Sequence, residues 1–148
     1  MPGSSKTYIF EKIMDIKELD FSTIRDPRGC LTAIEAEQMD IPIDVKRIFY
    51  MHHVSDDRGG HAHIDTDQVI FAVSGSFKLR LTDGRTTREF LMNDCTKGVY
   101  VPRLTFTDLY EFSADAVCMV LANTHYDMGR SLRSYDAYIS YLEKNHLL

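Results

Sequence analysis

From Leu31 to Ala122 the sequence is cut by turn-forming residues about every ten positions, and this punctuation constrains the fold more than any other feature. The apolar or alternating runs are Leu31–Glu35, Val45–His52, Gln68–Ser74, Phe77–Thr82, Thr86–Leu91, Gly98–Val101, Phe106–Phe112 and Ala116–Ala122. Between them stand Asp26-Pro27-Arg28-Gly29, Ser55 to Gly60, Ser74-Gly75, Asp83-Gly84, Asn93-Asp94 and Ser113 to Asp115. Asp83-Gly84, set between two alternating runs, predicts a tight hairpin whose two central residues both take positive φ. Many short strands in series indicate an all-β sandwich or barrel.

Only the last segment changes period. Leu132, Tyr135, Ile139 and Leu142 recur at helical spacing with Arg133, Asp136, Glu143 and Lys144 between them, which predicts an amphipathic C-terminal helix lying on the β domain. Ile13–Leu19 carries a weaker helical pattern. No repeat, linker or low-complexity tract divides the 148 residues, so residues 1–148 are read as one domain, with residues 1–6 expected to be disordered or tag-derived.

Charge narrows the function. With 17 Lys and Arg against 22 Asp and Glu, the net charge of −5 argues against nucleic acid as a partner. No apolar run reaches the ~20 residues that span a bilayer, and the first ten residues lack the apolar stretch of a secretory leader. Three widely spaced cysteines, Cys30, Cys95 and Cys118, fit reduced thiols, and the expected setting is cytoplasmic.

The chemistry is concentrated between Arg58 and Gly75, above all in Arg58-Gly-Gly-His-Ala-His63. His61 and His63 are two apart, so on a strand both imidazoles point to one face. Gln68 follows five residues after His63, and Gly75 closes the run at a turn. This segment resembles the first signature of the cupin superfamily, in which a glycine, His-x-His, Glu or Gln and a second glycine follow at this spacing. Cupin metal sites add a Glu at the position of Gln68 and a third His from a second signature, which falls here on Gly98 to Thr107. Its proline is Pro102, but Leu104 replaces the usual Gly and Thr107 stands where the His would be. Two imidazoles and an amide do not make the three-ligand open site of a catalytic metal, so no metal or other cofactor is expected. The pair is then free for proton transfer, which suits enolisation beside a carbonyl. The rings of His52 and His53 are expected on opposite strand faces; together with His125 and His146 they are expected to be structural or solvated.

Four further stretches resemble the WxcM-like sugar ketoisomerases: Asp26 to Glu35 with its Arg-Gly-x-Leu opening, Val45 to Tyr50, Arg58 to His63, and Ser131 to Tyr141 with its closing Arg-x-Tyr-Asp helix. The resemblance covers about Arg25 to Tyr141. It implies an all-β cupin (RmlC-like) jelly-roll β-barrel with a C-terminal helix. It also implies a metal-free homodimer acting on a dTDP-linked nucleotide sugar, as a dTDP-4-oxo-6-deoxyglucose 3,4-ketoisomerase that supplies 3-oxo sugars for 3-amino-3,6-dideoxyhexoses. On that reading His63 is the principal base at C3 and His61 relays or supplies a proton near C4, or the reverse. Gln68 orients an imidazole or holds a sugar oxygen. Arg28, Arg47 and Arg58 are the candidates for the diphosphate and sugar, because a guanidinium can bind phosphate oxygens bidentately. Tyr50, Tyr100 and Tyr110 are stacking or hydroxyl candidates, and Thr107 is expected to line the site. The nearest rival is a dTDP-sugar 3,5-epimerase. A metal-dependent cupin oxygenase and a non-catalytic sugar-binding cupin represent other classes.

Overall fold

Strict alternation gives the first sheet partner away: in Phe77–Thr82 the residues Phe77, Leu79 and Leu81 are fully buried while Arg80 is exposed. The computed structural model describes residues 16–36 and 41–148. Its strands are β1 (Lys17–Asp20), β2 (Ser22–Asp26), β3 (Gly29–Ala33), β4 (Arg47–His52), β5 (Arg58–His63), β6 (Gln68–Ser74), β7 (Phe77–Thr82), β8 (Thr87–Met92), β9 (Lys97–Val101), β10 (Phe106–Tyr110), β11 (Val117–Ala122) and β12 (Ser131–Leu132), followed by helix α1 (Tyr135–Lys144). They form two five-stranded sheets, β1-β9-β6-β11-β4 and β12-β5-β10-β7-β8, with β2 and β3 paired as a separate hairpin. All the ladders are antiparallel. This is the expected all-β jelly roll with a C-terminal helix, its ladders forming two facing sheets rather than one closed barrel among the described residues.

The central core lies between the sheets. Ile70, Ala72, Val99, Val101, Cys118 and Val120 come from one side and Phe77, Leu79, Leu81 and Leu109 from the other, with Phe49 and Met51 of β4 packed against them. A second cluster covers the outer face of the first sheet, where Val69, Phe71, Tyr100 and Leu121 meet Phe21, Ile41 and Ile43. The helix covers the outer face of the second sheet through Tyr138 and Leu142, which pack on Ala62 and Phe106.

Several local expectations need correction. Lys17–Asp20 is strand β1, paired with β9, rather than part of a helix; Ile13 to Asp15 lie outside the described residues, as do residues 1–6. The β7–β8 connection has four residues, not two. Asp83 Oδ1 accepts from the backbone N–H groups of Arg85 and Thr86 at 2.7 Å each, and only Gly84 has positive φ (92°). The aspartate side chain closes this turn, so its own backbone need not enter the left-handed region. In α1 the deepest tyrosine is Tyr138, fully buried, whereas Tyr135 is partly exposed and Leu132 belongs to β12. Ser134 caps the helix by accepting from Ala137 N–H at 3.1 Å, which starts it one turn later than the periodicity implied.

Two backbone features place the end of β5. Its ladder with β10 slips between Thr107 and Asp108, so that Thr107 faces His61 and Asp108 faces Gly59, with Gly60 as the extra residue of a bulge. Both glycines have positive φ, and a Cβ on Gly59 would stand 2.7 Å from the Thr107 carbonyl oxygen. Leu104 has φ of 61°, a conformation that costs a non-glycine residue about 1–3 kcal/mol. It is held there from two sides. Its N–H donates to the His63 carbonyl at 2.7 Å, and its own carbonyl accepts from the buried Tyr138 hydroxyl at 2.7 Å.

Candidate active site

His61 and His63 share the inner face of β5, with ring centroids 4.9 Å apart. They line a cavity of about 470 Å³ between edge strand β4 and edge strand β12, together with Arg47, Phe49, Asp65, Thr66, Thr124, His125, Tyr126, Asp127, Arg130, Ser131 and Arg133. The far side of the cavity comes from the segment after β11. That segment is tied down by Asp67, which accepts from Arg103 Nε (3.2 Å) and Nη2 (3.0 Å) and from Asn123 Nδ2 (3.1 Å). A Thr66–Thr124 hydroxyl pair at 2.6 Å and an Arg130–Asp65 ion pair at 3.0 Å add to the clasp.

Cations and an aromatic shape the mouth. The Arg47 guanidinium carbon lies 5.1 Å from the Phe49 ring centroid and 5.5 Å from that of Tyr126, which is itself well exposed. Arg47 Nε is buried without a hydrogen-bond partner. Such a guanidinium is preorganised for an anion, because its stacking is already made and its donors are not all used.

Both imidazoles favour the neutral form. Burial chiefly holds His61 below its ordinary pKa, with Arg133 and Arg58 acting in the same sense against its own backbone and Asp108. His63 is pushed down to about 4, first by burial, then by the His61 ring and the Arg47 and Arg133 guanidiniums, with Asp65 opposing. His61 Nδ1 is buried beside its own backbone without a well-formed hydrogen bond, whereas His63 Nδ1 lies 3.2 Å from Ser131 Oγ. A neutral imidazole can take up a proton, and two on one face can handle adjacent atoms of one substrate.

Of the candidates that the sequence marks, the cavity gathers His61, His63 and Arg47. Gln68 and Thr107 are buried close by without lining it; the Thr107 hydroxyl donates to the Thr105 carbonyl at 3.3 Å. Arg58 and Tyr50 line a neighbouring concavity of about 360 Å³ with His52 and His53. Tyr100 packs in the outer cluster, and Tyr110 donates to Glu89 with Arg80 over its ring. Arg28 pairs with Asp26 at 2.7 Å at the tip of the β2–β3 hairpin, 90% exposed. His125 is exposed, as expected of a solvated group, and it also lines the cavity. One expectation about the other histidines is overturned. His53 takes a φ of 53°, which turns its ring toward His52, Nδ1 to Nδ1 at 2.7 Å, instead of to the opposite face. Arg130, Ser131, Tyr126 and Asp65 carry no motif that marks them as site residues, although Ser131 lies in the stretch that resembles the closing helix of the family. Arg133 is the arginine of its Arg-x-Tyr-Asp run, but the sequence does not single it out as a site residue.

No three His, Cys, Asp or Glu side chains among the described residues are arranged to hold a metal ion. The donor set does not fit a catalytic metal: two imidazoles, with Gln68 and Thr107 where further ligands would stand.

A family model described as WxcM-like, C-terminal (FdtA) matches residues 14–143. The chain belongs to that family. It is 36% identical over 136 residues, 90% of this chain and 97% of the relative, to the TDP-4-oxo-6-deoxy-alpha-D-glucose-3,4-oxoisomerase of Aneurinibacillus thermoaerophilus. The crystal structure of QdtA, a sugar 3,4-ketoisomerase from Thermoanaerobacterium thermosaccharolyticum in complex with TDP, superposes with a TM-score of 0.82 at 35% identity, covering 88% of this chain and 96% of that one. A histidine-to-asparagine variant of QdtA has been solved with TDP-4-keto-6-deoxyglucose. NovW, a 4-keto-6-deoxy sugar epimerase from Streptomyces spheroides, shares the fold alone: TM-score 0.67 at 17% identity, over 80% of this chain and 68% of that one.

Proposed function

We propose that this protein is a dTDP-4-oxo-6-deoxy-D-glucose 3,4-ketoisomerase, an isomerase that moves the sugar carbonyl from C4 to C3 through an enediol. The observation that carries the reading is the pair of neutral imidazoles, 4.9 Å between centroids, in a cavity bordered by arginines. The 36% identity to a named 3,4-oxoisomerase supports the same substrate.

His63 takes the C3 proton. The electron pair of that C–H bond forms the C3–C4 double bond, and the C4 carbonyl oxygen takes a proton from solvent to give the enediol. Protonation at C4, with loss of the C3 hydroxyl proton to solvent, leaves the carbonyl at C3. His61 delivers the C4 proton after taking one up from solvent, and His63 releases the proton it took from C3 to solvent. The residues are about 6–7 Å apart along the strand, which matches neighbouring sugar carbons lying along it better than a single shared carbon. Nothing is oxidised or reduced overall. Arg47, Arg130 and Arg133 receive the diphosphate, and the exposed Tyr126 ring offers a surface to the nucleotide. Binding a dianionic group beside Arg47 and Arg133 offsets two of the cations that depress His63 and so strengthens it as a base.

A homodimer in the cytoplasm completes the proposal. Ile24 and Leu31 on the β2–β3 hairpin, and Ile48 and Tyr50 on the outer face of edge strand β4, are large and exposed, as a surface awaiting a second copy would be. The hairpin then carries Arg28 toward a neighbouring subunit. Cys30, Cys95 and Cys118 are free, in keeping with a reducing compartment, and no helix among the described residues is long and apolar enough to cross a membrane. The deciding experiment is incubation with dTDP-4-oxo-6-deoxyglucose in deuterated water, read by NMR. The 3-oxo product with deuterium at C4 supports the proposal, and unchanged substrate or exchange at C5 overturns it. Light scattering that gives a monomer mass at micromolar concentration would remove the dimer.

A further inference from the structure

The contact between Ser131 and His63 has a functional reading beyond packing. Ser131 lies in the two-residue strand β12, whose ladder sets it directly opposite His63 and sets Leu132 opposite Ala62. The register is fixed where β5 ends and β12 begins. Ile64 N–H donates to the Arg130 carbonyl at 3.0 Å, Arg130 pairs with Asp65 at 3.0 Å, and the preceding turn is closed by Asp127 accepting from Gly129 N–H at 3.0 Å. The hydroxyl is therefore delivered to His63 Nδ1 by backbone pairing and not by a free side-chain search, at 3.2 Å. His61, two residues earlier on the same face, has no equivalent: its Nδ1 lacks a hydrogen-bond partner.

A neutral imidazole carries one proton, and the nitrogen that lacks it is the base. With Nδ1 turned to Ser131, Nε2 is the nitrogen left for a substrate in the cavity. We propose that Ser131 is a positioning residue that fixes the tautomer of His63: its hydroxyl oxygen accepts from Nδ1–H and leaves the Nε2 lone pair free to take the C3 proton. After the transfer the imidazolium keeps its Nδ1–H bond to Ser131, so the acceptor also steadies the charged form. The role rests on the ketoisomerase reading for its chemistry, but the tautomer itself can be observed without turnover. The same ring also feels His61 on its own strand, Arg47 from β4, Arg133 ahead of α1, and Asp65 after β5.

The test compares wild type, Ser131→Ala and Ser131→Thr, each with ring-15N-labelled histidine; the His63 resonances are assigned by their loss in His63→Asn. Two-bond 1H–15N spectra at pH 7 should show His63 as the Nδ1–H tautomer in wild type and Ser131→Thr, and a shift toward Nε2–H in Ser131→Ala. Losing one hydrogen bond of this kind should cut kcat about tenfold in Ser131→Ala, with KM and melting temperature unchanged and threonine restoring the rate. An active wild type whose His63 tautomer and kcat ignore Ser131→Ala overturns the inference. A wild type with a Ser131-dependent tautomer but no turnover of dTDP-4-oxo-6-deoxyglucose overturns the ketoisomerase reading instead.

Discussion

His52 and His53 bring their ring centroids to 4.9 Å, the same separation as His61 and His63, yet the two pairs are built and housed differently. The first pair meets because His53 enters the left-handed region just past β4, and both rings remain exposed beside Asp56 and Asp57. The second meets because residues two apart on a strand share a face. It is sunk between the sheets, where burial and the arginines hold both rings neutral. Proximity of imidazoles is therefore not what marks a site. The difference lies in desolvation and in fixed neighbouring charge.

The contrast can be broken by substitution. His63→Asn should abolish turnover and also the exchange of the C3 proton with solvent, a loss of roughly 10²–10⁴-fold for a positioned base. His61→Asn should cut net isomerisation while leaving measurable deuterium exchange at C3. Equal loss of both signals in each variant would replace two roles by one coupled pair. The double substitution His52→Asn/His53→Asn should leave kcat within about twofold, as expected for surface groups that no catalytic step requires.

Titration sharpens the same contrast. The acid limb of kcat/KM reports the free enzyme, so it should extend down toward the His63 value of about 4, whereas the limb of kcat should lie higher once the diphosphate offsets Arg47 and Arg133. A kcat limb at or below that of kcat/KM would contradict the arginine assignment. Stability follows with a definite sign. The folded-state pKa of His63 is depressed, so the unfolded chain binds its proton first as pH falls, and stability should decline between about pH 6.5 and about pH 4. The smallest expected effect is none: chelator treatment should leave activity unchanged, and activity restored by one specific divalent ion would revive an oxygenase-type site.

What could be read in advance divides along similar lines. Gln68–Ser74 and Phe77–Thr82 coincide with β6 and β7, because a continuous apolar run, period-two alternation and the glycine turn at Gly75 are local signals. The histidine pair is legible for the same reason. The other wall of the cavity is not. Tyr126, Arg130 and Ser131 come to the cavity in and just before a two-residue strand whose only signal is its pairing with β5, and pairing between distant segments leaves no periodicity behind. Arg133 has a motif, but nothing in it tells that the residue borders the cavity. Tyrosines are hard to place for a different reason. Tyr50, Tyr100 and Tyr110 all lie on strands, but the face each takes depends on ladder phase and on what covers the outside of the sheet. His53 escapes because a single left-handed residue cancels the alternation on which its expected direction rests.

The bulge at Gly59-Gly60 carries a consequence in odd and even counts. Arg58 and His61 are three residues apart, and on an unbroken strand an odd separation would send them to opposite sides. Their ladder partners are Leu109 and Thr107, two apart and on one side of β10, and Leu109 is in the central core. The extra glycine converts an odd interval into an even one and turns Arg58 to the side of His61, whose basicity it lowers. Deleting Gly60 would leave every catalytic side chain in the sequence and still reverse that count. With His63 anchored by Leu104 and Ser131, the reversal would fall on Arg58, which would swing outward and let His61 become more basic. A single residue with no side chain thus sets on which side of the strand one of the charges around His61 stands.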